Sequence, residues 1–397
     1  MQRDNNNNKR KRTADDFILP KGYEPRSVKQ YVMEQDDEQD LGAHDVIHFA
    51  LGVLQRIGAK RVGDWVYIAK HTPDMHTTNF YQPYMSIADF INVHCRNRAV
   101  AGDIWSYLLD DEVEATVIRY LSKTCNDPEF PELAPRKGVF AFANGVYVAK
   151  NQPASGAEAN DFFEYRRDVP ASLMASSYNP HELNTEWLTV ADPIDIPTPT
   201  LDAILQREGW NDDIKRAFYS MCIGRLLADV CEYDAWGVAP MLHGGEGTGA
   251  SFIAGSLLPR LAAKIYNDGD DKSFRAAEAF DSDLVVVRPG TTAIPQSSLL
   301  SMIHAETVRV ARIHRQAVDE AWRTPVVLVG DQLPSWFHTR RGRDVLLFHF
   351  SRPVDCKDAD LHRELPAILT KGVRCYMELA GKAHGCDVRG CLPAYFY

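Results

Sequence analysis

The chain has 397 residues, 45% of them hydrophobic and 25% charged, with a formal net charge of −10. This is the profile of a globular protein with room for two or three cores, and it excludes a basic footprint over the whole chain, so any nucleic-acid contact must be local. No apolar run approaches the roughly 18 residues of a transmembrane helix, and the N-terminus lacks a signal peptide's apolar stretch, so neither a membrane partner nor secretion is expected.

Residues 1–40 have little apolar periodicity and end in the acidic run Glu34 to Asp40, the pattern of a disordered tail. Within it Lys9, Arg10, Lys11 and Arg12 form a basic cluster suited to nuclear import or a loose phosphate contact, with a merely solvated tail as the alternative. The spacing of Val46, Ile47, Phe49, Ala50, Val53, Leu54 and Ile57 predicts a helix from about Ala43 that Gly58 ends. A strand over Trp65–Ala69 follows, then helices over Ser86–His94 and Asp111–Lys123. Gly138–Ala149 reads as a β-hairpin turning at Asn144-Gly145. The prolines of Asp192–Thr200 mark a linker, and Leu201–Leu227 reads as helical. From Val238 to Phe350 apolar strands alternate with helical stretches, which predicts an α/β domain on a mainly parallel sheet.

The cysteines at 95, 125, 222, 231, 356, 375, 386 and 391 form no C-x-x-C pair, consistent with reduced thiols. The last three, with His384, match no zinc finger or ribbon spacing. His44-Asp-Val-Ile-His48 approaches the H-E-x-x-H protease helix, but its Asp is a methylene short and no third ligand is evident.

The segment that carries chemistry is Gly244-Gly245-Glu246-Gly247-Thr248-Gly249-Ala250-Ser251, between a strand and a helix. Against the phosphate-loop pattern G-x-x-x-x-G-K-[ST], Gly244, Gly249 and Ser251 occupy three of the four fixed places and Ala250 the lysine's. Glycines let backbone N–H groups turn toward phosphates at a helix N-terminus, and Ser251 is the expected magnesium ligand. The alternative is a glycine-rich turn that caps a helix.

The surroundings of this loop resemble the superfamily 3 helicases of large DNA viruses, the poxvirus-type primase–helicases. Gly224-Arg225, Tyr233-Asp-Ala-Trp236, Ile196–Leu205, Phe140–Tyr147, Glu306–Arg315, Thr324–Pro334, Arg343–Phe350 and Cys391–Phe396 carry the likeness, in order, over about residues 45–397. The resemblance implies an AAA+-type P-loop ATPase-like domain at 237–355. Ahead of it come a mixed α+β domain at 41–190 and a linker with a helical collar at 191–236, and after it a helical segment at 356–397. It implies ATP with magnesium as cofactor, Asp331 at the sensor position and Arg343 at an arginine finger. Arg309, Arg312, His314 and Arg315 match a basic hairpin that contacts DNA inside a hexamer. Expected partners are DNA, single-stranded, with either copies of this chain in a ring or an active helicase subunit. The expected location is the host nucleus or a cytoplasmic viral replication compartment. Some 45 residues ahead of the likeness cannot hold the family's primase domain, and members usually continue past Tyr397, so primase activity is not carried over.

The departures are concentrated in the catalytic positions. Ala250 cannot neutralise phosphates. The strand Leu284–Val287 runs into Arg288-Pro289-Gly290 rather than acids, and Asp281 and Asp283 stand at its other end. Asp331 replaces the sensor asparagine and Asp344 the second finger arginine. One lost charge-assisted contact costs about 1.5–3 kcal/mol, or one to two decades of rate, and a badly held metal several more. An engineered Lys→Ala change would account for Ala250 alone, whereas decay of the whole site accounts for the other positions too. ATP binding is therefore expected to be weak or absent. An active helicase rescued by a partner or a displaced lysine (Lys264 or Lys272) and a non-catalytic scaffold are the alternatives.

Overall fold

A computed structural model describes residues 41–71, 77–97, 101–128, 130–132, 136–149, 164–166, 175–268, 275–312, 316–338, 343–382 and 392–396. The tail and its basic cluster, His314, Arg315, Lys272, His384, Cys386 and Cys391 lie outside these residues. The chain forms two compact units, one of residues 1–69 and 81–133 and the other of 70–80 and 134–397.

In the first unit α1 (Leu41–Arg56) begins and ends close to the predicted bounds, with Gly58 at φ +61° just past its end. Its apolar stripe, Val46, Ala50, Val53 and Leu54, is buried. A three-stranded sheet of β1 (Lys60–Val62), β2 (Trp65–His71) and β3 (Thr77–Ser86) follows in that order. Ser86 caps α2 (Ile87–Phe90) by accepting from the Asp89 N–H, and a π-turn carries that helix on to Cys95. Helix α3 (Asp111–Arg119) has Asp110 as its cap and likewise runs on as a π-turn to Thr124. The buried Arg61 guanidinium donates to the carbonyls of Ser122 and Cys125 and to Glu132, which ties the last segment of this unit to β1.

The second unit holds the predicted hairpin as β4 (Arg136–Phe142) and β5 (Gly145–Val148). Phe142 pairs with Gly145, so the turn residues are Ala143 and Asn144, one step before the predicted Asn-Gly pair. Asn144 is used differently from a hairpin turn residue: its side chain bonds both backbone groups of Leu183. β6 (Glu164–Arg166) and β7 (Ala175–Tyr178) complete a sheet of order β6-β5-β4-β7.

The predicted linker is packed rather than free. Pro193, Ile196 and Thr198 are buried, and Lys371, 1% exposed, donates to the Ile196 carbonyl, Thr198 Oγ1 and Asp202. The segment read as helical over 201–227 is helical in two pieces, α4 (Pro199–Arg207) and α5 (Asp212–Tyr219), the second running on through a π-turn and a 3-10 turn to Leu227. They are broken where Gly209 takes φ +77° and Asn211 caps the second. Strand β8 (Ala239–His243) leads into α6 (Gly249–Ser256). Then come β9 (Ile265–Asn267), α7 (Ala276–Phe280), β10 (Leu284–Val287) and α8 (Gln296–Ile303). A ribbon of β11 (Thr307–Val310) and β12 (Val318–Ala321) precedes β13 (Val326–Gly330), β14 (Val345–His349) and α9 (Asp358–Lys382).

Strands β14-β8-β13-β10-β9 form one five-stranded sheet in which each neighbouring pair is parallel. Period-two alternation sorts its side chains. Leu242, Val286, Val329 and Phe348 face Ile253 of α6 and the α4, α5 and α9 core, while Met241, Val285, Val287 and Leu328 face α8, Val308 and Trp322. Both faces are covered, as a parallel sheet requires, so the carboxyl rim of the strands is where loops and ligands can meet.

Candidate functional site at the carboxyl rim of the parallel sheet

The glycine loop, Gly244–Thr248, leaves β8 at that rim and opens α6. Its root is fixed by backbone bonds: the Gly244 N–H donates to the Gly330 carbonyl at 3.1 Å, and the Phe350 N–H to the His243 carbonyl at 2.7 Å. Glycine is required by close approach at two places. A Cβ on Gly244 would stand 2.6 Å from the Phe350 carbonyl oxygen, and one on Gly249 2.6 Å from the Phe350 ring. Gly247 takes φ +79°.

The loop is also held by the segment after β14. Val354 N–H donates to the Gly247 carbonyl, Thr248 bridges Pro353, and Glu208 anchors this strap by accepting from the N–H groups of Ser351 and Arg352. Within the loop Thr248 Oγ1 donates to the Gly245 carbonyl at 2.7 Å, and Ser251 Oγ to the Thr248 carbonyl at 3.1 Å. Glu246 is exposed.

Ala250 is 0% exposed and belongs to the core cluster with Ile253, Ile204 and Phe350. The position where the resemblance expects a lysine is therefore an apolar packing position. At the end of β10, two strands away and so roughly 10 Å from β8, the exposed residue is Arg288, whose Nη1 lies 3.5 Å from the Asp268 carbonyl. Asp283 and Asp281 sit at the amino end, where Asp283 receives the Lys264 N–H and Asp281 pairs with Arg312. Lys264 precedes β9 at that same end, away from the loop, and is not placed to substitute for the missing lysine. At the places where the resemblance expects groups for ATP and magnesium stand the buried methyl of Ala250, the guanidinium of Arg288 and a Ser251 Oγ that donates to the Thr248 carbonyl, a set that does not fit an ATP–magnesium complex. Glu246 and Asp331 add negative charge beside the loop.

Asp331 is exposed directly after β13, and its carbonyl accepts from His243 Nε2 at 3.1 Å. His243 Nδ1 in turn lies 2.8 Å from His349 Nδ1. Burial, then the neighbouring His349, push the His243 imidazole below its ordinary value against the pull of Asp331. No motif marks either histidine in the sequence, although each closes a strand one residue before the loop or the strap.

The remaining predicted residues lie elsewhere. Arg343 is exposed at the amino end of β14, and buried Asp344 pairs with His304. On the ribbon Arg309 is exposed and opposite Asp319. Arg312 is engaged: it pairs with Glu320 and, at 3.2 Å, with Asp281, and its guanidinium lies over the Phe280 ring.

The motifs flanking the loop have structural work. Arg225 donates bidentately to Asp234 and to the carbonyls of Trp236 and Val238, and Tyr376 adds a hydrogen bond to the same carboxylate. His44 and His48 stack edge to face on α1, and among the described residues no group of three or more ligating side chains could hold a metal. The described cysteines are unpaired, and burial pushes the thiols of Cys95 and Cys375 up to about 12. No described helix is long and apolar enough to cross a membrane.

No protein-family model matches the chain, and no curated protein does. Among solved structures it is similar to the apo A form of the NrS-1 C-terminal region, at 10% identity and a TM-score of 0.37, over 83% of this chain and 67% of that one. It is similar also to a JCV helicase structure, at 15% identity and a TM-score of 0.25, over 51% and 55%. Likeness this remote assigns no function to the chain.

Proposed function

We propose that this chain is a superfamily 3 helicase-like protein of viral DNA replication that binds single-stranded DNA with little or no ATPase activity of its own. It would work in a ring of its own copies or beside an active helicase subunit. The observation that carries the reading is the glycine loop, which joins β8 to α6 at the carboxyl rim of a five-stranded parallel sheet with buried Ala250 in the cation's place. The order of the motifs along the sequence supports the family, and the AAA+ type of P-loop domain follows from it. Loop geometry and buried Ala250 together support an inherited scaffold without its chemistry.

DNA contact falls to the β11–β12 ribbon and the residues that join its strands. Arg309 is an exposed arginine there, and His314 and Arg315 follow it in sequence. The test is single-stranded DNA affinity as a function of salt. A ribbon that neutralises phosphates gives a log–log slope of about −0.7 per contact, and Arg309→Ala should weaken binding and flatten that slope. A slope unaffected by Arg309→Ala and by Arg315→Ala would remove the ribbon from the reading. One observation favours a second reading, a scaffold that binds no DNA: Arg312 already has two carboxylate partners.

A further inference from the structure

The two histidines at the rim join the two segments that close over it. In the parallel register His243 stands directly opposite His349. One is followed by the glycine loop, the other by the strap of residues 350–354, and loop and strap are bonded to each other through Gly247 and Val354.

Hydrogen-bond chemistry then fixes the protons. The Asp331 carbonyl can only accept, so His243 Nε2, 3.1 Å away, carries a hydrogen. A neutral His243 therefore has a bare Nδ1, and His349 Nδ1 at 2.8 Å must be the donor. That bond survives when His349, the exposed ring, takes a proton on its outer nitrogen. It cannot survive a second proton: His243 Nδ1–H would then point at His349 Nδ1–H, with two charged rings whose centroids are 5.0 Å apart. While it is bonded, the pair holds at most one positive charge.

We propose that the His243–His349 pair is a proton-operated latch, which keeps the glycine loop and the strap closed while it carries no more than one charge and releases them when both rings are protonated. Of the charged groups on the neighbouring elements, the Asp331 carboxylate attracts His243. Glu246 stands on the loop, Arg352 on the strap and Glu208 at the end of α4 beneath it, and the Tyr395 hydroxyl is hydrogen-bonded to the His349 backbone. None of these supplies a second acceptor for His243 Nδ1. The latch does not depend on nucleotide or DNA binding, so its test and theirs fail separately.

The test is amide hydrogen exchange of the whole chain at pH 7.5 and 5.5, corrected for the intrinsic rate. Peptides covering 244–250 and 351–357 are expected to lose protection by about tenfold or more at the lower pH, while β10 keeps its own. His349→Asn places an amide donor where Nδ1–H stood and does not titrate, so its protection should be the same at both pH values. His349→Phe has no donor and should be unprotected at both. Constant protection in the wild type, or the same loss in His349→Asn as in the wild type, overturns the latch. Should the phenylalanine variant fail to fold, the asparagine variant still decides.

Discussion

Asp344 Oδ1 lies 2.9 Å from His304 Nε2, so the aspartate that stands where the resemblance expects a second finger arginine is turned inward onto the end of α8. Only 2% of Asp344 is exposed, and its backbone carbonyl accepts from the Ala239 N–H at the start of β8. His304 packs against Gly237 so closely that a Cβ there would meet its ring at 2.4 Å. The departure from the family pattern is thus built into the packing.

It follows that Asp344→Arg will not recreate a finger. It buries a guanidinium beside His304 and should cost about 3–5 kcal/mol, the range for an uncompensated buried charge. Urea unfolding measures this, and a variant as stable as the wild type would show that Asp344 is not held as described.

Arg225 and Asp234 form the most buried ion pair among the described residues, at 5% and 1% side-chain exposure. Arg225→Ala leaves the buried Asp234 without its cation and the Trp236 and Val238 carbonyls without their donor, and should cost about 3–5 kcal/mol. Burial by itself would raise the Asp234 carboxyl, but Arg225, Tyr376 and the Trp236 N–H outweigh it and hold it below the ordinary carboxylate value. A depressed folded value means the stabilisation is complete above the unfolded pKa near 4 and is lost as pH falls through the folded one. Unfolding free energy measured from pH 5 downward should therefore fall less steeply in an Arg225→Ala, Asp234→Ala double variant.

Two glycines make a matched pair. A Cβ on Gly224 would stand 2.2 Å from the Gly372 carbonyl oxygen, in backbone that cannot give way cheaply, whereas nothing lies within 4 Å of one on Gly255. Gly224→Ala should destabilise by several kcal/mol, and Gly255→Ala, exposed on α6, should stabilise by about 0.5–1 kcal/mol. Thermal melts read both, and equal effects would contradict the close helix approach at Gly224.

On the ribbon, Arg312 and Arg309 should separate. Arg312 answers to Glu320 and Asp281, so Arg312→Ala should change DNA affinity less than Arg309→Ala. Exposed pairs are worth only about 0–1 kcal/mol each, so the ribbon should keep its fold. Fluorescence anisotropy with a labelled oligonucleotide checks the order, and a larger loss for Arg312 would mean that its ion pairs open on binding.

The sequence made the alternating strands and helices of 238–350 legible because each apolar strand is short and bounded by turn residues. The break at Gly209 was not, since Leu201, Leu205, Ile214 and Phe218 keep helical spacing on both sides of it. The loop itself was legible from four glycines and a serine. Its partners were not, because the strap and Glu208 reach it from more than 100 and about 40 positions away in the chain. Arg225 and Tyr233–Trp236 read as family marks, and only the packing explains them: their shared partner Tyr376 lies 142 residues beyond Asp234. Separations of 31 and 106 residues likewise hid Asp281 from Arg312 and His349 from His243.

The most direct test of the central claim is ATP hydrolysis by the purified chain, with and without single-stranded DNA, beside Ala250→Lys. The account predicts no DNA-stimulated turnover in either protein, because Ala250 is a core position and Arg288 stands where the resemblance expects an acid. Clear DNA-stimulated turnover by the wild type would contradict it.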